Sequence, residues 1–222
     1  MSLLSDIRAI IWDLDGTLYR FDEAMTKACN IAAARTVQSL GISITYDEAV
    51  VMAARSEEEH GYSLHAFIHE HGIRYEDMHH PFHEFIDEKL IRRNDELVAR
   101  MECLSIPQVI ITNASRGWAT RALTHLGMKH IFTDDRIIPM EDANFEPKAT
   151  SRRGFDKAVS ILGILPEHIL MIEDLARNLR IPKDMGMQTA FIHHGIPAEK
   201  FHDYIDFQAA DPLMILNAID IN

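Results

Sequence analysis

The chain has 222 residues, 47% of them apolar and 25% charged, with 22 Lys or Arg against 34 Asp or Glu and a formal charge of −12. This is the composition of a soluble globular protein of roughly one to two domains, and its acidity argues against a nucleic-acid polymer as partner. Two cysteines, Cys29 and Cys103, are too few for a disulfide framework and fit a reducing, cytoplasmic setting; with no apolar signal stretch among the first residues, export is not expected, and no apolar run reaches the ~18 residues of a membrane span.

The first element in chain order is the apolar run Ala9-Ile10-Ile11-Trp12, which reads as a buried strand ending in the turn Asp13-Leu14-Asp15-Gly16. A helical block follows. Met25, Cys29, Ala33, Val37 and Leu40 repeat at helical spacing up to Gly41. Thr45-Tyr46-Asp47-Glu48 fits a capping box. Leu64, Phe67, Ile68 and His71 form a stripe stopped by Gly72, and Phe82, Phe85, Ile86 and Leu90 form a fourth. Strand patterns then resume at Val109-Ile110-Ile111, Ile169-Leu170-Met171-Ile172 and Thr189-Ala190-Phe191-Ile192. Between them, Trp118, Ala122, Leu123 and Leu126 share one helical face, and Phe155, Ala158, Val159 and Leu162 share another that stops at Gly163. Strands alternating with helices imply parallel βαβ units. The expected fold is therefore an α/β core with a Rossmann-like parallel sheet, residues 1–18 and 101–222, interrupted by an all-helical insertion over residues 19–100.

Four places at strand ends carry chemistry. In Asp13-Leu14-Asp15-Gly16-Thr17, two carboxylates two residues apart point the same way from an extended chain. One can attack an electrophile while the other trades a proton with the leaving group, and two close like charges call for a divalent, oxygen-loving metal. Alone, the segment reads equally well as an acidic turn. Thr112-Asn113 offers a hydroxyl and N–H groups to an anion, although an ordinary helix N-cap explains it as well. Lys148 precedes the helix of Phe155, on the unfavourable end of its dipole unless an anion is present; a solvated surface lysine is the simpler reading of it alone. Glu173-Asp174 supplies adjacent carboxylates after a buried strand, as metal ligands or as a polar cap. Together the four fall at the carboxyl ends of strands in one parallel sheet, where such sheets bind ligands.

This set resembles the motifs of the haloacid dehalogenase superfamily of phosphohydrolases. Asp13-Leu14-Asp15-Gly16-Thr17-Leu18-Tyr19 is similar to its first motif, Thr112-Asn113 to the second, Lys148 to the third and Glu173-Asp174 to the fourth, and the helical block resembles its mobile cap. The stretches Glu59-His60-Gly61-Tyr62-Ser63-Leu64, Ile111-Thr112-Asn113-Ala114, Glu173-Asp174-Leu175-Ala176-Arg177-Asn178-Leu179 and Gly186-Met187 with Thr189 resemble the pyrimidine 5′-nucleotidase-like branch. The resemblance implies a phosphomonoester hydrolase with Asp13 as nucleophile and Asp15 as general acid and base. It implies Mg²⁺ held by Asp13, the Asp15 carbonyl, Asp174 and Glu173, and phosphoryl oxygens held by Thr112, Asn113 and Lys148. The implied substrate is a small phosphate ester, a pyrimidine nucleoside 5′-monophosphate for preference. A phosphatase or phosphomutase for small sugar phosphates or phosphoglycolate shares the same core, and a non-catalytic nucleotide-binding protein on this fold is opposed by the presence of both Asp13 and Asp15. Asp15 also favours phosphate over halide chemistry, since the dehalogenases lack it. Two features depart from the common pattern: Pro147 precedes Lys148 instead of following it, and the fourth motif opens with Glu173, with Asn178 where a further Asp is frequent.

Seven of the thirteen histidines lie in the insertion. His65 and His69 have a zinc-compatible spacing without an aligned third ligand, so helix packing is the better reading, as a structural loop is for His193-His194. The cap is expected to hinge at residues 19–22 and 97–104. It holds nine basic against fifteen acidic residues, about half of the whole excess, so positive charge for an anionic substrate has to be supplied locally.

Overall fold

In the computed structural model, which describes residues 6–60, 62–196 and 202–219, six strands form one parallel sheet. They are β1 (Ala9–Trp12), β2 (Gln108–Ile111), β3 (Ile137–Ile138), β4 (Ile169–Glu173), β5 (Gln188–Ile192) and β6 (Phe207–Ala209), in the spatial order β3-β2-β1-β4-β5-β6. Every residue of β1, β2 and β4 is buried, as a strand covered on both faces requires, which is why these runs show no polar alternation. Trp12 lies beside Ile110 on one side and Ile172 on the other, so β1, β2 and β4 end level with one another. The connection order reverses at β1, and a crevice opens beyond the carboxyl ends at such a switch point.

The helices are α1 (Glu23–Ser39), α2 (Tyr46–His60), α3 (His65–His71), α4 (Tyr75–Glu84), α5 (Asp95–Glu102), α6 (Arg116–Leu126), α7 (Arg153–Leu162), α8 (Arg180–Asp184) and α9 (Pro212–Ala218). On one face of the sheet, Phe155, Ala158 and Leu162 of α7 pack on Ile11, Val109, Ile111 and Met171, and α7 ends at Gly163 in the left-handed region, φ 64°. α2 opens on the reciprocal box foreseen at Thr45: Thr45 N–H donates to Glu48 Oε2 at 3.0 Å, and Glu48 N–H donates to Thr45 Oγ1 at 3.3 Å. None of the described helices is long and apolar enough to cross a membrane.

The chain divides into two compact units, Met1–Arg20 with Arg92–Asn222, and Phe21–Ile91. The second boundary lies nine residues before the expected one at 100/101. α5 accounts for the difference: its Leu97, Val98 and Met101 are buried, it packs against α9, and the Met101 carbonyl accepts from Gln108 Nε2 of β2 at 3.0 Å. The second link is thus at Ile91–Arg92 and not within 97–104. The fourth stripe of the insertion is also divided. α4 ends at Glu84, and Leu90 belongs to a separate 3-10 turn that Asp87 caps by accepting from the Lys89 N–H. β3 and β6, two and three residues long, have no counterpart among the expected strands, since neither is long enough to show a period. Gly61, within the Glu59 to Leu64 stretch, lies outside the described residues.

Candidate active site

β1 delivers Asp13 into the crevice, where it is 4% exposed and its N–H donates to the Ile172 carbonyl at 3.0 Å. The chain then turns through Gly16 at φ +86°, a conformation that favours glycine. A second constraint acts at the same position: a Cβ on Gly16 would stand 1.9 Å from Asp174 Oδ2. The turn returns Asp15 to the crevice. Asp15 Oδ1 accepts from the Tyr19 hydroxyl and, at 2.6 Å, from Trp118 Nε1; Asp15 Oδ2 accepts from Thr112 Oγ1 at 3.2 Å.

Thr112 follows β2, is 2% exposed, and also accepts from the Ala114 N–H at 2.9 Å. The N-cap of α6 is Ser115, which accepts from the Trp118 N–H, so Thr112 and Asn113 are not the cap of that helix. Asn113 turns the other way: its Oδ1 accepts from the Lys148 N–H at 3.1 Å and ties the second strand end to the third segment. Arg116 is held by Asp142 and by the Asp134 and Ile137 carbonyls, a structural role.

Lys148 is no surface lysine. It is 4% exposed, and its ammonium bonds Asp13 Oδ1 and, at 2.7 Å, Glu173 Oε2. The reversed order of Pro147 and Lys148 does not displace it, because the loop is set by other means. Asn144 and Phe145 both take left-handed backbone, φ 55° and 58°, and the Pro147 carbonyl accepts from the Thr150 and Ser151 N–H groups at 3.0 Å. Such a conformation at a phenylalanine costs on the order of 1–3 kcal/mol and persists only where the surroundings impose it.

Glu173 ends β4 with 1% exposure, and Asp174 follows. One carboxylate oxygen from each of Asp13, Glu173 and Asp174 lies within 4.8 Å of the others. Among the described residues, Asp13 Oδ2 and Asp174 Oδ1 are buried without a hydrogen-bond partner. Burial, with Glu173 adding to it against the opposing pull of Lys148, pushes the Asp13 carboxyl up to about 7. Burial, then Glu173 and Asp13, push Asp174 up to about 10. Burial alone would depress Lys148, but the Asp13 and Glu173 carboxylates outweigh it and hold the ammonium above its ordinary value. Two of the three carboxylates thus share one ammonium, and two oxygens of the group are left unsatisfied. That donor set fits a hard divalent cation.

All seven residues singled out in the sequence, Asp13, Asp15, Thr112, Asn113, Lys148, Glu173 and Asp174, converge at the ends of β1, β2 and β4 and the loop before α7. Asn178 is buried in the 3-10 turn Ala176–Leu179. Two contributors were not foreseen, and a third, His194, reads more simply in the sequence as part of a structural loop than as reaching the crevice rim. Tyr19 and Trp118 hold Asp15, and His194 Nε2 lies 2.6 Å from the Gly16 carbonyl. Tyr19 has a local signal in its position four residues after Asp15, whereas Trp118 reads simply as one of the apolar residues of a helix face. Histidines of the insertion form packing contacts: the tilted His65 ring has its centroid 4.0 Å from that of His60 and 4.2 Å from that of His69. Among the described residues, the acidic triad is the only group of three or more His, Cys, Asp or Glu ligand atoms close enough to hold one metal ion.

A family model described as haloacid dehalogenase-like hydrolase matches residues 7–186. Among solved structures, a putative hydrolase of this type, YfnB of Bacillus subtilis bound to magnesium, is 16% identical, with a TM-score of 0.64 over 97% of this chain and 99% of its own. CbbY of Rhodobacter sphaeroides, in complex with phosphate, is 20% identical, with a TM-score of 0.68 over 92% and 94%. A family IA, variant 3 hydrolase of Entamoeba histolytica is 19% identical, with a TM-score of 0.67 over 97% and 96%. At these identities the likeness is one of fold. No curated protein matches the chain.

Proposed function

The chain belongs to the haloacid dehalogenase-like hydrolases, and from that premise we propose that it is a Mg²⁺-dependent phosphomonoester hydrolase working through an aspartyl-phosphate. The observation that carries the proposal is the buried pairing of Lys148 with Asp13 and Glu173 beside an Asp15 carboxylate oriented by three donors. In the proposed reaction an Asp13 oxygen attacks phosphorus. The bond to the ester oxygen breaks, and Asp15 gives that oxygen its proton, so that the alcohol leaves neutral. Asp15, now ionised, takes a proton from water as the water attacks the aspartyl-phosphate, which releases phosphate and restores Asp13. The single bond on Asp15 Oδ2, 3.2 Å from the Thr112 hydroxyl, supports that oxygen as the one that would exchange the proton. Lys148 and the Thr112 hydroxyl stabilise charge on the phosphoryl oxygens, and Asn113 fixes Lys148 through its backbone. Mg²⁺ bound by Asp13, Glu173, Asp174 and the Asp15 carbonyl would supply Lewis-acid charge neutralisation.

For substrate we propose pyrimidine nucleoside 5′-monophosphates. The stretches of residues 59–64, 111–114 and 173–179 that resemble that branch support this reading, and the two free cysteines support a cytoplasmic setting. Purified protein incubated with Mg²⁺ and UMP, CMP, dTMP, AMP, GMP and small sugar phosphates should release phosphate fastest from the pyrimidine nucleotides. Turnover of sugar phosphates alone would overturn the substrate assignment, and release of nothing would overturn the enzymatic one. Asp13→Asn should lower turnover by about 10³-fold or more, because an amide is a poor nucleophile.

A further inference from the structure

A cavity of about 590 Å³ lies wholly within the α/β unit; none of Asp13, Glu173 and Asp174 lines it, although Tyr19, which bonds Asp15, does. Thr17 and Arg20 after β1, Arg92 and Arg93 before α5, and His194 after β5 line it. Two acids also face it, and both are engaged. Asp95 accepts from Arg93 Nε at 2.5 Å, and Asp211 caps α9 by accepting from the Met214 N–H at 2.9 Å. Arg20 and Arg92 are different: among the described residues neither makes a hydrogen bond or an ion pair. Both are exposed, and of the four described arginines without such a partner, Arg20, Arg35, Arg92 and Arg177, two line this one cavity. The Thr17 hydroxyl, on a residue 1% exposed, also has no partner among the described residues.

The guanidinium group is a planar fork of donors that matches an oxyanion, so two unpaired forks and an unsatisfied hydroxyl on one cavity define an acceptor-shaped deficit. We infer that this cavity is an oxyanion site separate from the Asp13 centre, and that it takes a phosphate group between Arg20 and Arg92. The volume also admits an organic moiety attached to that group. Arg20 is the last residue of the α/β unit before the helical insertion and Arg92 the first after it. An anion held by both ties the two connections together at their base.

The test uses the full chain in EDTA, with inorganic phosphate titrated calorimetrically into the wild type, R20Q/R92Q and D13N. The inference expects one phosphate per wild-type chain, at least about tenfold weaker binding in R20Q/R92Q, and D13N within about twofold of wild type; a charge-assisted bond is worth roughly a factor of ten. No binding up to about 10 mM, undiminished binding in R20Q/R92Q, or loss of binding in D13N would each overturn it. R92Q alone, weakened about threefold or more, serves if the double variant does not fold. Phenylphosphonate separates the two sources of the group. Binding tighter than phosphate identifies an organic phosphate as the ligand, and weaker binding identifies free phosphate. The inference stands on the arginines and does not need the hydrolase reading. A catalytically inert protein that binds phosphate here would refute the first proposal and keep this one.

Discussion

Asp174→Asn should stabilise the metal-free protein while removing a proposed metal ligand. Burial and the neighbouring Glu173 and Asp13 carboxylates hold the Asp174 proton up to about pH 10, against 3.8 for an ordinary aspartate. A carboxyl raised in this way lets folding proceed freely below about pH 4, and its contribution is lost progressively as pH rises toward the folded value. Near pH 7.5, folding must return to Asp174 a proton that the unfolded chain has lost, which costs at most about 5 kcal/mol. Water entry and side-chain relaxation reduce that ceiling, and neutral replacements of buried charges are commonly stabilising by about 1–4 kcal/mol. Asparagine is close in shape and does not titrate. In EDTA, D174N should therefore exceed the wild type by about 1–3 kcal/mol near pH 8 and by little near pH 5. Urea unfolding followed by tryptophan fluorescence reads this directly, since Trp12 and Trp118 are the two tryptophans of the chain and both are buried in the α/β unit. Added Mg²⁺ should then stabilise the wild type and leave D174N nearly unchanged. A destabilised D174N, or a gap of equal size at both pH values, would refute the account of the site as a centre strained by excess negative charge.

Three other substitutions probe the same centre. Lys148→Met removes the cation paired with the buried Asp13 and Glu173 carboxylates and should cost about 3–5 kcal/mol in EDTA by urea unfolding, with part of the loss recovered by Mg²⁺. Gly16→Ala forces a side chain into left-handed backbone and against Asp174, so the melting midpoint should fall in proportion to about 1–2 kcal/mol and a Mg²⁺ titration should shift to higher concentration. Trp118→Phe deletes the 2.6 Å bond to Asp15 but keeps most of the buried ring; if Asp15 is the proposed proton donor, steady-state kinetics should show kcat lower by about tenfold with KM little changed.

What the sequence reveals of this molecule depends on how local each signal is. β1, β2 and β4 are legible because full burial on both faces forces an unbroken apolar run, and the turn after β1 because Gly16 stands directly behind two carboxylates. α2 announces itself through a box that two residues three apart complete. The misplaced second boundary has the opposite cause. α5 is amphipathic like the helices before it, and only its contacts with α9 and β2, more than a hundred residues away in one case, assign it to the α/β unit. Site residues divide in the same manner. Asp13 and Asp15 are visible within one turn, while Lys148 looks like any surface lysine until the fold brings it to a carboxylate 135 positions earlier. Trp118 reaches Asp15 across 103 positions and leaves no trace in its own helix pattern.

The charge of the chain now bears on the order of events. With Asp174 holding its proton and Lys148 already paired to Asp13 and Glu173, the metal-free site offers an arriving phosphate dianion no free cation and two nearby carboxylates. A divalent cation has to be in place first, and in EDTA the catalytic crevice should refuse phosphate. The arginine-lined cavity is under no such restriction, since its carboxylates are already engaged and its free groups are cations. Phosphate binding with and without Mg²⁺ therefore separates the two sites in one protein: one stoichiometric site in EDTA, lost with Arg20 and Arg92, and a second that emerges only with metal, lost with Asp174. A single metal-dependent site would remove the arginine cavity from consideration. Binding at the crevice in EDTA would mean that Lys148 and the protonated Asp174 suffice to hold the anion, and that the triad places no demand for a cation.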